Sequence, residues 1–203
     1  MHWIPQGSIL GPILFLIYIN DLPESCDISS YDVNLIYLYA DDAKVYKTIK
    51  NSEDNKTLQA VVNKIREWSD KWSLKLNIGK CKVMSYSMRE HIQTQYFIYD
   101  DNNEYYLENL NVYKDLGVIF DSRLSFREHI QEKIEKAYKM LGIIKRNFIH
   151  FSSNTFIQLH KSIVRPHLDY ANSVWHPYKV GDIEDIEKVQ KRAVGHLIKE
   201  TSI

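Results

Sequence analysis

This sequence of 203 residues contains few cysteines and has no excess of charge of either sign. Its two cysteines, Cys26 and Cys81, are too few for a disulfide framework and lack the paired spacing of a zinc site. Lysine and arginine number 26, as do aspartate and glutamate, so net charge alone does not indicate a nucleic-acid-binding protein. With 44% hydrophobic and 26% charged residues, the composition is that of an ordinary globular protein.

Long apolar runs are also missing. The run that follows Pro12, Ile13 to Ile19, is far shorter than the ~20 residues that a membrane span requires. The start of the chain lacks the basic segment of a secretory signal, and Gly11-Pro12 interrupts its apolar run. We therefore predict an intracellular protein, in the nucleus or the cytoplasm, whose first element is a buried helix over Ile9–Asn20.

The charges that are present are distributed unevenly along the chain. Residues 21–54 carry eight acidic residues and three lysines, whereas residues 133–165 carry seven basic residues and one glutamate. A chain with one acidic and one basic segment suits a protein that binds a polyanion through metal ions. A basic run is more often a solvated helix face, so this distribution carries little weight alone.

Two adjacent aspartates interrupt the apolar, aromatic stretch LIYLYADDAKVY at residues 35–46. Residues rich in Tyr, Ile and Val predict strands over Leu35–Tyr39 and Lys44–Ile49, and the gap between them is short enough only for a tight hairpin. Charged side chains are costly in a protein interior unless they are paired or bound to a metal. Two interpretations of Asp41 and Asp42 therefore stand, a polar turn or a carboxylate pair that holds metal ions.

A second aspartate pair serves as an internal control. Asp100 and Asp101 are followed by two asparagines within a polar, aromatic segment, residues 91–108, that predicts another hairpin. Asparagine beside aspartate is typical of an ordinary turn. An Asp-Asp dipeptide is therefore no evidence of a metal site by itself.

Hydrophobic periodicity predicts an α+β protein, with helices on one face of an antiparallel sheet and a helical part after a boundary near residue 122. Before the boundary we expect a helix capped by Ser52 or Asp54 and strands over Lys80–Ser87 and Leu116–Phe120. The apolar stripe of that helix is Leu58, Val61, Val62, Ile65, Trp68 and Trp72.

After the boundary the pattern predicts three helices. The first begins at Ser125, the second covers Asn154–Val164 and stops before Pro166, and the third covers Ile183–Ile198. The inward positions of the first and third helices are Ile130, Ile134, Ala137, Tyr138, Leu141, Ile144, Ile186, Val189, Ala193 and Leu197.

Several motifs follow one another along almost the whole chain: IPQGSILGPILFLIYINDLP from residue 4, YLYADDAKVY from residue 37, WSLKLNIGKCKVM from residue 72 and YKDLGVIFDSRLSF from residue 113. In this order they resemble the reverse transcriptases of non-LTR retrotransposons, especially the jockey-like ones. The stretch IVRPHLDYANSVWHPY from residue 163 resembles the region after the polymerase core. The resemblance implies a partial palm over residues 1–122, a thumb-like helical region over 123–170 and a C-terminal helical extension over 171–203.

The resemblance also implies the residues of an RNA-directed DNA polymerase, a nucleotidyltransferase. Asp41 and Asp42 match the aspartates of the family's YADD box, which hold Mg²⁺ or Mn²⁺ for two-metal transfer, and Asp41 is expected to be the stronger ligand. Lys80 matches a lysine thought to help pyrophosphate leave. Leu116-Gly117 matches the turn that steadies the end of the primer.

The expected partners are an RNA template, a DNA primer and deoxynucleotides. The loop that lies against the incoming nucleotide and the template matches Pro5, Gln6, Gly7 and Ser8, and Tyr39 joins them as a substrate-binding residue. The basic helix of the thumb would hold the duplex by its phosphates. Its cations are Lys133, Lys136, Lys139, Lys145 and Arg146.

One departure from the family pattern limits these expectations. In the family, the third carboxylate lies on a strand well before the loop at residues 5–8, and no residue of this sequence matches that strand. In addition, Trp3 stands where the family has glycine. We therefore expect only weak Mg²⁺ binding and no polymerisation by this chain alone. Three hypotheses follow: an active RNA-directed DNA polymerase, an inactive remnant that still binds nucleic acid, and a translated pseudogene fragment.

Overall fold

The computed structural model describes residues 9–26, 35–88, 94–100, 103–147 and 152–200, with side chains as far as residue 195. Contacts between residues divide the chain into two compact units. One consists of Met1–Val83 and His91–Asn109, and the other of Met84–Glu90 and Leu110–Ile203. The division does not fall at residue 122, because the strands just before it pack on the helix that follows.

Helices and short strands come in separate runs along the chain, a mixture that is compatible with the α+β class. The helices are α1 (Leu10–Ile19), α2 (Leu22–Ser25), α3 (Ser52–Lys71), α4 (Arg127–Asn147), α5 (Ser153–Leu159), α6 (Arg165–Asp169), α7 (Asn172–Trp175) and α8 (Val180–Glu200). The strands are β1 (Leu35–Tyr39), β2 (Asp42–Tyr46), β3 (Lys82–Met84), β4 (Phe97–Asp100), β5 (Asn103–Tyr106), β6 (Glu108–Leu110), β7 (Val112–Asp115) and β8 (Val118–Asp121).

The described strands pair two by two, β1 with β2, β3 with β6, β4 with β5 and β7 with β8. They do not join into the single antiparallel sheet that the sequence predicted. The reason lies in the packing: strand β1 packs against α1 and α3, β4 against α3, and β8 against α4. Three of the four strand pairs therefore pack on helices, while Val83 of β3 packs in the cluster that contains Ile98 of β4.

Helix α3 begins with a capping box. The Asn51 side chain accepts a hydrogen bond from the Asp54 N–H (3.0 Å), and the Asp54 carboxylate accepts one from the Asn51 N–H (3.1 Å). These bonds satisfy N–H groups that have no partner within the helix. The cap is therefore Asn51, and the prediction of Ser52 or Asp54 was wrong by one to three residues.

The apolar stripe predicted on α3 is confirmed as far as Trp68 and contributes to two clusters of the first unit, whereas Trp72, the last predicted position, is exposed (37%). Ile65 and Trp68 pack with α1, α2 and β1. Leu58 and Val62 pack with a cluster that includes Ile98 of β4. Each fully buried side chain of this size stabilises the fold by roughly 1.5–3 kcal/mol, so α3 supports both hairpins of this unit.

Helix α1 confirms the predicted helix but not its burial. Ile19 is buried, whereas five apolar residues are more than half exposed: Leu10, Ile13, Leu14, Leu16 and Ile17. A helix that is apolar on nearly every side cannot direct all of these residues into one small cluster. Neither α1 nor any other helix in the described ranges is long and apolar enough to cross a membrane.

Helix α4 is the centre of the second unit, and its predicted apolar stripe is confirmed. Ala137, Leu141 and Ile144 are buried in a cluster formed with α5, α6 and α8. Ile130, nearer the start of the helix, packs with Val118 of β8 and with other residues of that end. The β7–β8 hairpin and the C-terminal helices therefore share one supporting helix.

The helix predicted to stop before Pro166 does not stop there. Helix α5 runs into a π-helical turn, His160–Val164, and α6 follows directly with Pro166 in its first turn. Proline is tolerated in a first turn, where its missing N–H has no helical partner in any case. Helix α8 confirms the inward positions Ile186, Val189 and Ala193, while the side chain of Leu197 lies outside the described residues.

Two strand predictions also change. The strand expected over Lys80–Ser87 is only Lys82–Met84, because Ile78–Lys80 form a 3₁₀ turn before it. The strand expected from Leu116 begins at Val118, because Leu116 and Gly117 form the loop between β7 and β8. The hairpin predicted within residues 91–108 is confirmed by the pairing of β4 with β5.

Candidate functional site

The hairpin predicted around Asp41 and Asp42 is confirmed. Strands β1 and β2 pair from Leu35 opposite Tyr46 to Tyr39 opposite Asp42, so β2 begins at Asp42 and not at Lys44. The loop consists of Ala40 and Asp41, and Ala40 has φ 51°. A positive φ is unfavourable for alanine, and backbone strain of this kind clusters at functional sites. The structure therefore puts Asp41 in a strained turn and Asp42 at the first position of a strand.

The two faces of the β1–β2 hairpin differ in their surroundings. Ile36 and Leu38 pack on the cluster that contains Trp68 of α3. Tyr39 lies directly opposite Asp42, and directly opposed residues share a face, which here is the exposed one. Asp41, Asp42 and Tyr39 are all exposed, so a ligand can reach each of them.

Neither carboxylate of this hairpin has a hydrogen-bond or salt-bridge partner in the part of the chain that the structure describes. Two other acidic residues that could complete a metal site are already bound within the protein. The Asp21 carboxylate accepts a hydrogen bond from the Trp68 indole N–H (2.9 Å). The described ranges hold no group of three or more His, Cys, Asp or Glu residues that could bind a metal.

Asp121 lies in the second unit and caps the start of α4. Its carboxylate accepts hydrogen bonds from the backbone N–H groups of Arg123 (3.0 Å), Ser125 (3.1 Å) and Phe126 (2.8 Å), and from the Ser125 hydroxyl (3.1 Å). Although partial burial opposes ionisation, these bonds lower the pKa of Asp121. This carboxylate has a structural role.

The control pair behaves as the sequence predicted. Asp100 lies opposite Asn103 at the end of the β4–β5 hairpin, and Asp101 is outside the described residues. The Asp100 carboxylate accepts a hydrogen bond from the Arg66 guanidinium (2.8 Å), which also contacts Asp70 (3.0 Å). Asp100 is thus paired with a cation on α3 and is not available as a metal ligand.

Other residues were predicted to contact the incoming nucleotide or to help pyrophosphate leave. Pro5, Gln6, Gly7 and Ser8 lie outside the described residues. Lys80 is exposed at the end of the 3₁₀ turn, where its backbone N–H donates to the Asn77 carbonyl (2.9 Å). Its proposed part in pyrophosphate release stays a prediction.

The predicted primer-positioning residues form a second strained turn, in the second unit. Leu116 has φ 43° and Gly117 has φ 82°. Both of their carbonyls accept hydrogen bonds: Leu116 from the Tyr170 hydroxyl (2.7 Å) and Gly117 from the Lys133 ammonium (3.3 Å). The structure therefore brings Lys133 of α4 and Tyr170, which follows α6, to one turn.

The five predicted phosphate-binding cations of α4 are not equivalent. Lys133 is buried, and burial lowers its pKa. Lys136 pairs with Glu132, which Lys114 also contacts (3.3 Å). Three cations are exposed, and no partner for them is found in the described residues: Lys139, Lys145 and Arg146.

Sequence reasoning missed two residues of this unit. Arg192 of α8 lies 5.4 Å from the centre of the Tyr138 ring and borders, with Lys145, a cavity of about 110 Å³. The sequence feature that could have identified Arg192 is its position off the apolar stripe of α8. The other residue is His129, which is completely buried although histidine is usually partly exposed.

His129 holds the hairpin to the helix. Its Nδ1 accepts a hydrogen bond from the Ile119 N–H (3.1 Å), and its ring packs edge-on against Trp175, with centroids 5.1 Å apart. Burial, reinforced by the positive charge of Lys133, lowers the pKa of His129 to about 4. The ring is therefore neutral near pH 7.

The family model described as reverse transcriptase (RNA-dependent DNA polymerase) matches residues 2–145. The probable RNA-directed DNA polymerase from transposon X-element of Drosophila melanogaster is 26% identical over 197 residues, which are 93% of this chain and 21% of that protein. The RNA-directed DNA polymerase from mobile element jockey of Drosophila funebris is 32% identical over 180 residues, 85% of this chain and 19% of that protein.

A third relative, the probable RNA-directed DNA polymerase from transposon BS of Drosophila melanogaster, is 25% identical over 205 residues. The chain spans about a fifth of the length of these curated relatives. No solved structure matches it significantly.

Proposed function

This chain belongs to the reverse transcriptase (RNA-dependent DNA polymerase) family, and we propose that it forms part of the palm and the thumb of the RNA-directed DNA polymerase of a non-LTR retrotransposon. Its partners would be an RNA template, a DNA primer and deoxynucleotides. The observation that carries the proposal is the pair Asp41 and Asp42, exposed at a strained hairpin turn within the matched residues.

Asp41 and Asp42 would hold Mg²⁺ or Mn²⁺, with Asp41 as the stronger ligand. The donor set fits, because carboxylate oxygens are the hard ligands that these ions prefer and both groups are exposed. When bound, the ions supply neutralisation of the charge that develops on the transferred phosphoryl group. Tyr39, on the same face as Asp42, would contact the nucleotide.

The pair is incomplete as a polymerase centre in the described ranges, where no third ligand accompanies it. We propose that two carboxylates alone bind Mg²⁺ weakly and that this chain by itself does not extend a primer. The inactive, nucleic-acid-binding form is therefore the alternative that this observation favours. Asp21 and Asp121, the two acidic residues considered as a replacement for the third ligand, have structural partners instead.

Primer extension on an RNA template with Mg²⁺ or Mn²⁺ separates the active form from the inactive one. We expect no extension by the wild type or by Asp41→Asn. Extension by the wild type that disappears in Asp41→Asn would overturn the proposal that the pair is insufficient. It would also mean that another residue of this chain supplies the third ligand.

The exposed cations of α4 would hold the duplex by its phosphates. Such contacts release counterions, so affinity falls steeply as salt rises. Fluorescence anisotropy with an RNA–DNA primer–template at two salt concentrations tests this part. The test variant replaces three cations by glutamine: Lys139, Lys145 and Arg146. The matched control makes the same change on α3, at Lys56, Lys64 and Lys71.

We expect the α4 variant to bind about tenfold more weakly and to lose up to about three units of the salt slope, roughly one for each lost phosphate contact. The α3 variant should bind like the wild type. Equal losses in the two variants, or none in the first, would reject the duplex-binding assignment of α4.

A further inference from the structure

The turn between β7 and β8 adopts a conformation that its first residue does not favour. Leu116 and Gly117 both have positive φ values, 43° and 82°. Asparagine or aspartate before glycine would close such a two-residue hairpin with less strain. The Leu116 side chain is about half exposed (47%), so burial does not explain why leucine is held here. Strain of this kind persists only where surrounding contacts impose it.

Two side chains from different elements impose the conformation. The Tyr170 hydroxyl donates to the Leu116 carbonyl (2.7 Å), and the Lys133 ammonium donates to the Gly117 carbonyl (3.3 Å). The ammonium also lies 5.7 Å from the centre of the Tyr170 ring, within range of a cation–π interaction. A Cβ atom at Gly117 would lie 3.2 Å from Cε1 of Tyr170, so close packing of the ring as well as the positive φ disfavours a side chain at this position.

The segment that carries Tyr170 is itself fixed. The Trp175 indole N–H donates to the Tyr170 carbonyl (2.7 Å), and Ala171 between them has φ 53°. Trp175 is buried against His129, whose Nδ1 accepts the Ile119 N–H of strand β8. The hairpin, α4 and the segment after α6 thus form one closed set of contacts.

Hairpin closure alone does not account for this arrangement. Burying an ammonium is costly, and the bond to Gly117 satisfies Lys133 with a neutral carbonyl where a carboxylate would compensate the charge better. The contacts keep the backbone of the turn in one conformation and leave the Leu116 side chain exposed. A rigid turn with an exposed apolar side chain is suited to pack against a ligand in a fixed register.

We propose that Tyr170 and Lys133 are positioning residues, which hold the Leu116–Gly117 turn in the one conformation that aligns the 3′ end of the primer. The proposal rests on the proposed function and on the prediction, drawn from the family resemblance, that this turn contacts the primer end. Tyr170 lies 25 residues beyond the family match, which ends at residue 145. The segment after the matched domain would therefore serve the polymerase site directly.

Photocrosslinking tests the proposal on the whole chain. A DNA primer annealed to an RNA template carries 4-thiothymidine either at its 3′ end or several nucleotides upstream, and crosslinked peptides are identified by mass spectrometry. The variants are Tyr170→Phe, which removes only the hydroxyl, and Lys133→Met, which keeps the apolar stem. Tyr178→Phe is the matched control, because this exposed tyrosine follows the same segment without contacting the turn.

We expect the 3′-end probe to crosslink to residues 112–121 in the wild type. The yield should fall at least threefold in Tyr170→Phe and in Lys133→Met, while duplex affinity by anisotropy stays within twofold. The upstream probe and Tyr178→Phe should match the wild type. A merely structural role would lower the yields of both probes together with affinity and melting temperature, and that result would overturn the proposal.

Two further outcomes distinguish failure of the proposed function from failure of the positioning role. If the wild type binds no duplex, the proposed function fails. If it binds duplex but does not crosslink at the turn, or crosslinks equally well in both variants, the positioning role of Tyr170 and Lys133 fails while duplex binding stands.

Discussion

The β1–β2 and β4–β5 hairpins of the first unit both carry adjacent aspartates in sequence, and they differ in what surrounds the carboxylates. Asp100 of β4 faces the Arg66 guanidinium of α3 at 2.8 Å. Asp41 and Asp42 have no such partner among the described residues. The first aspartate of the pair is therefore bound to a cation in one hairpin, whereas in the other both aspartates are open to a cation.

The tyrosines of the two hairpins also differ in their partners. In β4–β5, the hydroxyls of Tyr99 (3.0 Å) and Tyr106 (2.8 Å) both donate to the Glu104 carboxylate, which raises the pKa of each tyrosine. In β1–β2, Tyr37 and Tyr46 contact each other edge-on, with centroids 5.6 Å apart. The described carboxylates of β4–β5, Asp100 and Glu104, are bound within the protein and serve the fold, whereas unbound carboxylates at an exposed turn can bind an ion.

The largest expected difference between the hairpins is in stability. Ile98 of β4 is buried (4% exposed) in the cluster under α3, whereas Leu38 of β1 is half-buried. We expect Ile98→Ala to lower the free energy of unfolding by about 3 kcal/mol and Leu38→Ala by about 1–2 kcal/mol. Urea denaturation followed by circular dichroism measures both. A larger loss in Leu38→Ala would reverse the assignment of β4–β5 as the structural hairpin.

The stability of the β7–β8 hairpin, which His129 joins to α4, is expected to depend on pH. The pKa of His129 is about 4 in the folded protein and near 6.5 when unfolded, so the unfolded state binds the proton first as pH falls. Stability should therefore decrease between pH 6.5 and 4, by roughly 3 kcal/mol in total. The pKa values of Asp121 and Glu132 are lowered from ordinary values of 3.8 and 4.5, so these carboxylates affect stability only at the acid end of this window and below it.

His129→Gln checks this dependence. A glutamine side-chain oxygen can accept the Ile119 N–H but does not titrate. Unfolding curves between pH 7 and 4 should show a flatter dependence in the variant than in the wild type. Parallel curves would mean that His129 is not the titrating group.

The third expected difference concerns the carboxylates themselves. Asp100→Asn should cost up to about 1 kcal/mol, because it removes the charge that faces the half-buried Arg66. Asp41→Asn and Asp42→Asn should change stability by less than about 0.5 kcal/mol, as is usual for exposed groups without partners. Thermal melts of the three variants decide this. A cost at Asp41 equal to that at Asp100 would indicate a structural role at both tips.

Residue patterns predicted the elements that local signals specify. The β-rich residues on both sides of ADD gave the β1–β2 hairpin, and the periodic apolar residues of α3 and α4 gave helices whose buried faces are confirmed. The exposure of α1 could not be predicted, because a pattern that is apolar on every side indicates a buried helix without naming what covers it.

The contacts at the β7–β8 turn could not be predicted from the sequence either. Leucine does not indicate a residue with positive φ, so Leu116 was assigned to a strand. Lys133 was counted among exposed cations because lysines usually face solvent, yet its long stem reaches the Gly117 carbonyl from α4. Only the tertiary fold brings Tyr170, 54 residues from Leu116, to the same turn.

The most direct test of the central claim uses Mn²⁺ as the probe and the β4–β5 hairpin as the internal control. Paramagnetic broadening of backbone amide signals in the ¹⁵N-labelled chain reports where the ion binds. Signals of residues 39–43 should broaden first, those of residues 97–100 and 103–106 should stay sharp, and the double variant Asp41→Asn, Asp42→Asn should lose the effect while Asp100→Asn keeps it. Equal broadening at both hairpins, or broadening that survives the double variant, would contradict the assignment of Asp41 and Asp42 as metal ligands.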